Sequence, residues 1–174
     1  MRGRIHAQDA IAAWKTRPGL RNTLMDILRR ALAEGRKPDL KELVEAIPYC
    51  RFLGVETDQK GTELTTILRF SDRLIGNPVL PALHGGVVGA FLEITAVIQL
   101  LLEAETEEIP KPVDIGIDYL RSGRPIDTFA RATVTKHGRR VCNVRAEAWQ
   151  DEHTKPIAAL HGHFLIKPRS AESD

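Results

Sequence analysis

The sequence predicts an α+β domain, an antiparallel sheet wrapped around one long central helix, with a helical extension at the N-terminus. Three observations predict it. The stretch Leu83 to Leu102 is apolar apart from His84, Glu93, Thr95 and Gln99, and reads as a buried helix over 85–104. After Pro110 and Pro112 come four strand-like runs, Val113 to Leu120, Phe129 to Lys136, Val141 to Trp149 and Ile157 to Ile166. The first forty-odd residues have a different texture, polar with apolar stripes at helical spacing.

Taken in order, Asn22 or Thr23 caps a helix whose stripe is Leu24, Ile27, Leu28, Ala31 and Leu32, and Gly35 with Pro38 ends it. Asp39 opens a second helix through Leu40, Leu43, Val44 and Ile47, which Pro48 stops. From Gly54 the period changes to two, with Leu64, Thr66, Leu68 and Phe70 on one side of a strand. Ser122-Gly123-Arg124-Pro125, His137-Gly138 and Asp151-Glu152-His153-Thr154 separate the later strands, and His137-Gly138 suggests a tight hairpin. The domain reading is therefore a helical extension over 1–38, one domain over 39–167, and a disordered tail over 168–174.

Composition excludes several function classes. With 25 basic and 23 acidic residues the formal net charge is +2, and aromatics make up 5%, so neither the field nor the stacking surface of a nucleic-acid binder is present. Cys50 and Cys142 form no CxxC and no Cys/His cluster; they read as reduced intracellular thiols, with no metal site and no cofactor expected. Residues 1–6 lack the apolar run of a signal peptide, which sets a cytoplasmic expectation. The apolar stretch approaches the roughly 20 residues of a membrane span, but it carries Glu93, Gln99 and three glycines, so a core helix is expected rather than a membrane.

Glu93 is the first candidate for function, because a carboxylate in so apolar a helix has to be paired, protonated or put to use. A merely structural acid would be satisfied by a neighbouring hydroxyl or backbone group. Gly85 and Gly86 at the helix start let a substrate carbonyl approach the backbone, where free N–H groups and the positive helix end favour developing negative charge. That combination can form an oxyanion hole. Eight residues at 1.5 Å each put Glu93 about 12 Å along the axis, far for a carbonyl shared within one chain.

The segment Leu83-His84-Gly85-Gly86 with an acid nine residues after the histidine, followed by Val113-Asp114-Ile115-Gly116-Ile117-Asp118-Tyr119-Leu120-Arg121-Ser122-Gly123-Arg124, resembles the hotdog-fold acyl-CoA thioesterases of the phenylacetate-pathway and hydroxybenzoyl-CoA types. The likeness spans about residues 40–167 and places an antiparallel meander after the helix. It implies hydrolysis of an acyl-CoA to acid and CoA by a homodimer or dimer of dimers, with Glu93 of one subunit facing the glycine donor of the other. Glu93 would act as general base or as nucleophile. Gly85 or Gly86 would bind the thioester oxygen, His84 would orient the loop or touch the thioester, and Asn77 would bond the carbonyl or the water. Val97 stands where one branch has a hydroxyl, against a hydroxyl-assisted route. Arg121, Arg124, Lys136, His137, Arg139 and Arg140 are expected to cluster at strand ends as contacts for the CoA phosphates, although charges there also guard sheet edges. The alternatives are a dehydratase or hydratase of the same fold and a non-catalytic acyl-CoA sensor or scaffold.

Overall fold

The computed structural model describes residues 20–103 and 108–167. The expected tail over 168–174 and the first nineteen residues of the extension lie outside the described residues. Helix α1, Leu20–Ala33, is already helical at Leu20, so Asn22 and Thr23 sit inside it rather than capping it. Its stripe Leu24, Ile27, Leu28 and Ala31 is buried, and Gly35 follows with a φ of 62°. Helix α2, Leu40–Ala46, opens at Asp39, whose carboxylate accepts the Glu42 N–H at 2.9 Å.

Pro48 does more than stop α2. It occupies the first turn of a further helix, α3, Pro48–Leu53, where its missing N–H costs nothing, and Gly54 closes that helix at a φ of 76°. Six residues are too few to show a helical period, so α3 leaves no signature in the sequence.

Strands β1, Val55–Lys60, and β2, Glu63–Leu68, pair antiparallel around Gly61. β1 was not anticipated. It is an edge strand with one buried residue, so Val-Glu-Thr-Asp-Gln-Lys carries no alternation to read. β2 shows the expected alternation, with Leu64, Thr66 and Leu68 buried, but stops before Phe70. A 3₁₀ turn at Asp72–Leu74 leads to a small hairpin of β3, Ile75–Asn77, and β4, Ala82–Leu83, too short to leave a pattern.

Helix α4, Gly85–Glu103, lies across the sheet with Phe91, Leu92, Ala96, Ile98 and Leu100 fully buried. By length and apolarity it is the one helix among the described residues that could cross a membrane, but here it is the core of the domain. A polar pair fixes its rotation: Thr95 and Thr66 hydroxyls meet at 2.6 Å, and each is also within hydrogen-bond reach of a backbone carbonyl, of Phe91 and Ala130 respectively. The strands that follow are β5, Lys111–Tyr119, β6, Thr128–His137, β7, Val141–Trp149, and β8, Ala158–Leu165.

All pairings are antiparallel, in the order β1-β2-β6-β7-β8-β5. The expected meander after the helix is therefore corrected: β5 pairs with β8 at the far edge and not with β6. The chain from β5 to β6 crosses the end of the sheet, held there by Leu120 and Arg121 N–H groups on the Ile157 carbonyl. Periodicity specifies a strand's faces but not its neighbour, so only the folded chain decides this order. One apolar core runs from Leu24 and Ile27 of α1 through Leu43 and Val44 to Phe91, Leu160 and Phe164.

Candidate active site

The start of α4 is held from four sides. The His84 N–H donates to the Leu74 carbonyl and the Leu83 N–H to the Gly123 carbonyl, both at 2.9 Å. β3 presses so closely that a Cβ on Gly76 would lie 2.7 Å from the His84 Cα. The His84 carbonyl accepts from Val87 and Val88, while its Nδ1 accepts the Gly86 N–H at 3.0 Å. From β5, the Tyr119 hydroxyl donates to the Gly85 carbonyl at 2.8 Å. Of the two glycine donors only the Gly85 N–H is left without a partner among the described residues, so the alternative left by the sequence narrows to Gly85.

Glu93 sits half-buried on α4. Its carboxylate has no hydrogen bond or ion pair among the described residues, so the hydroxyl or backbone cap of a structural acid is absent there. The nearest hydroxyl in sequence, Thr95, is turned to Thr66. Gly86, Ala90, Glu93 and Val97 follow one another at helical spacing and form the less buried side of α4. Glu93 thus shares a face with the helix start, two turns further along.

Asn77 lies at the end of β3, exposed, and its Oδ1 accepts the N–H groups of Val79 and Leu80 at 2.9 and 3.3 Å. Its acceptor is thus used to shape the turn, and only its amide N–H₂ remains to meet a substrate.

The six cations do not form one cluster. Arg121 and Arg124 stand at the end of the sheet where α4 begins. There Arg121 donates to the Pro156 carbonyl at 2.6 Å, and Arg124 pairs with Asp151. Lys136, His137, Arg139 and Arg140 lie on the β6–β7 turn at the opposite end, exposed and with no side-chain partner among the described residues. The length of β6, at about 3.3 Å per residue, puts roughly 30 Å between the two groups. Sequence spacing could not reveal this, because consecutive turns of an antiparallel sheet alternate between its two ends.

No thiol competes for the chemistry. Burial pushes Cys50 up to about 12, and burial also raises Cys142, helped by the nearby Glu103 and opposed by a hydrogen bond from the Gly138 backbone. Among the described residues no three His, Cys, Asp or Glu side chains are placed to hold a metal ion.

The residue whose part in the site the sequence reading missed is Tyr119. Beyond its hydrogen bond to Gly85, its ring is what a Cβ on Gly85 would meet at 3.4 Å, and a Cβ on Gly89 would lie 2.8 Å from the Ile117 side chain. Glycines four residues apart on α4 therefore make the room in which two β5 side chains lie. The signal was present as Gly85 and Gly89, but which strand uses the groove depends on the sheet order.

A long helix cradled in an antiparallel sheet is the hotdog fold, and glycines at its start with an acid on its open face, unpaired among the described residues, suit a thioester hydrolase. Residues 80–157, which contain His84, Gly85, Gly86, Glu93 and Tyr119, match the family described as the thioesterase superfamily. The chain thus carries a thioesterase-superfamily domain in that segment, which supports a thioester hydrolase over the sensor and dehydratase alternatives. It is 28% identical over 134 residues to the medium/long-chain acyl-CoA thioesterase YigI of Escherichia coli K12, covering 69% of this chain and 86% of that one. The crystal structure of a Chromobacterium violaceum protein is 38% identical and aligns with a TM-score of 0.64, covering 84% of this chain and 98% of the other. A thioesterase from Haemophilus influenzae shares the fold at 21% identity and a TM-score of 0.67, over 80% and 97% of the two chains.

Proposed function

We propose that this enzyme hydrolyses acyl-CoA thioesters, with Glu93 as the group that activates water or attacks the acyl carbon and the Gly85 N–H as the oxyanion donor. The observation that carries the reading is the half-buried Glu93 carboxylate, unpaired among the described residues, on the same open helix face as the glycine start. In the general-base route, Glu93 takes a proton from water as its oxygen bonds to the acyl carbon. The carbonyl electron pair moves to the oxygen held by Gly85, and collapse expels the CoA thiolate, which regains the proton. In the nucleophilic route the carboxylate itself bonds to the acyl carbon as the C–S bond breaks and the CoA thiolate leaves; water then cleaves the mixed anhydride to the free acid, restoring Glu93 and supplying the proton the thiolate takes up. The name of the Escherichia coli relative supports acyl-CoA as the substrate class.

The separation of about 12 Å between the Gly85 donor and Glu93 supports a homodimer in which each site takes its donor from one subunit and its acid from the other. Arg121 and Arg124 stand at the same sheet end as Gly85 and are the nearer cations for CoA phosphates. The cations of the β6–β7 turn reach such a molecule only from another chain.

Thiol release from a panel of acyl-CoAs tests the activity. Glu93→Gln is expected to fold normally and to lose turnover by about 10² or more, the scale of a general acid–base residue. Near wild-type turnover in that variant would make Glu93 structural and defeat the assignment.

A further inference from the structure

We infer that Tyr119 is a positioning residue for the reaction, acting through the single peptide group that joins Gly85 to Gly86. This rests on the reading of the Gly85 N–H as the oxyanion donor. The peptide group is gripped at both ends: its carbonyl accepts the Tyr119 hydroxyl at 2.8 Å, and its N–H donates to His84 Nδ1 at 3.0 Å. Upstream, the His84 N–H is bound to the Leu74 carbonyl at 2.9 Å. The Gly85 N–H therefore lies between two fixed points and has no partner of its own among the described residues.

The need for such a grip follows from the residues. Two successive glycines have the widest backbone freedom of any pair, and a first helical turn lacks the intrahelical bonds that would restrain its N–H groups. An oxyanion donor contributes most when it is already aimed at the place where charge develops. His84 and Tyr119 supply the restraint that the glycines lack. Tyr119 is suited to the task because it stands on β5, a strand of the main sheet, and its ring rests against Gly85 in space that any side chain there would fill. More than half of its surface is exposed, so its hydroxyl is not needed to satisfy the core.

The test is Tyr119→Phe, which keeps the ring and removes only the hydroxyl. Losing an oxyanion donor costs 10² to 10³ in turnover, and loosening one is expected to cost about tenfold in kcat with KM changed less than about twofold. The melting temperature is expected to stay at the wild-type value. In the ¹⁵N-glycine-labelled protein the Gly85 and Gly86 amide signals are expected to move, while those of Gly138 and Gly162 stay. His84→Ala releases the other end of the same peptide group, so the double variant is expected to lose less than the product of the two single losses. Wild-type kcat in Tyr119→Phe, or unmoved Gly85 and Gly86 signals, overturns the inference. If the wild-type enzyme hydrolyses no acyl-CoA, the substrate reading fails separately, and the glycine signals alone decide whether Tyr119 positions this peptide group.

Discussion

Glu93 and Cys50 show how one helix-and-sheet core treats two ionisable side chains differently. Cys50 is fully buried with nothing to stabilise a thiolate, so its pKa rises to about 12 and it behaves as a small apolar side chain. Cys142 is also buried and shifted in the same direction. Because the thiolate is the reactive form, neither thiol is expected to react with an aromatic disulfide reagent in the folded protein at about pH 8, and both are expected to react after unfolding. Thiol release measured over time in native and denatured protein checks this; rapid labelling of a native thiol contradicts it. Glu93 instead keeps one side toward the open face of α4, where water and a substrate can reach it.

The crossing from β5 to β6 is the connection on which the sheet order depends, and a buried glutamine holds it. Gln150, just past β7, accepts the Arg124 N–H at 3.0 Å and donates to the Arg124 carbonyl at 2.9 Å and to the Thr128 hydroxyl at 3.1 Å. Gln150→Leu fills similar space but leaves the Arg124 N–H without this partner and the Arg124 carbonyl with the Ile126 N–H alone, a loss of about 1–3 kcal/mol for the group left unsatisfied before water intrudes. Chemical denaturation is expected to show the variant destabilised by at least about 1 kcal/mol at an unchanged m-value. Wild-type stability would mean that the crossing is held without Gln150, by bonds such as those of Leu120 and Arg121 on Ile157 and of Leu83 on Gly123. The Thr66–Thr95 pair works in the same way on α4: a helix this apolar could pack in several rotations, and one buried polar contact favours the rotation that turns Glu93 outward.

At the scale of the whole molecule the separation of donor and acid sets the strongest requirement. If one thioester is held by the Gly85 of one chain and attacked through the Glu93 of another, two inactive subunits can restore each other. Gly85→Pro removes the donor N–H at the first position of a helix, where the backbone accepts proline although its ring crowds Tyr119. Mixed and re-associated with Glu93→Ala subunits, it is expected to yield about half heterodimers with one competent site each, hence about a quarter of wild-type activity. No recovery after confirmed subunit exchange places both groups in one chain and removes the shared site.

The sequence by itself determined the elements with strong period or strong punctuation. These are α4 from its apolar run, α1 and α2 from their stripes and the Asp39 cap, and β6 and β7 from alternation broken at His137-Gly138. It also singled out Glu93, because an acid in such a helix stands out from its neighbours alone. β1, α3, β3 and β4 were illegible, being edge, short or polar segments whose faces carry no contrast. Only the tertiary structure decided that β5 lies beside β8, that Tyr119 reaches Gly85, that the Gly86 N–H is taken by His84, and that the six cations separate to opposite ends of the sheet. The physical reason is the same in each case: local periodicity records which side of a segment is buried, whereas strand order, and every contact that depends on it, is fixed by pairings between residues far apart in the chain.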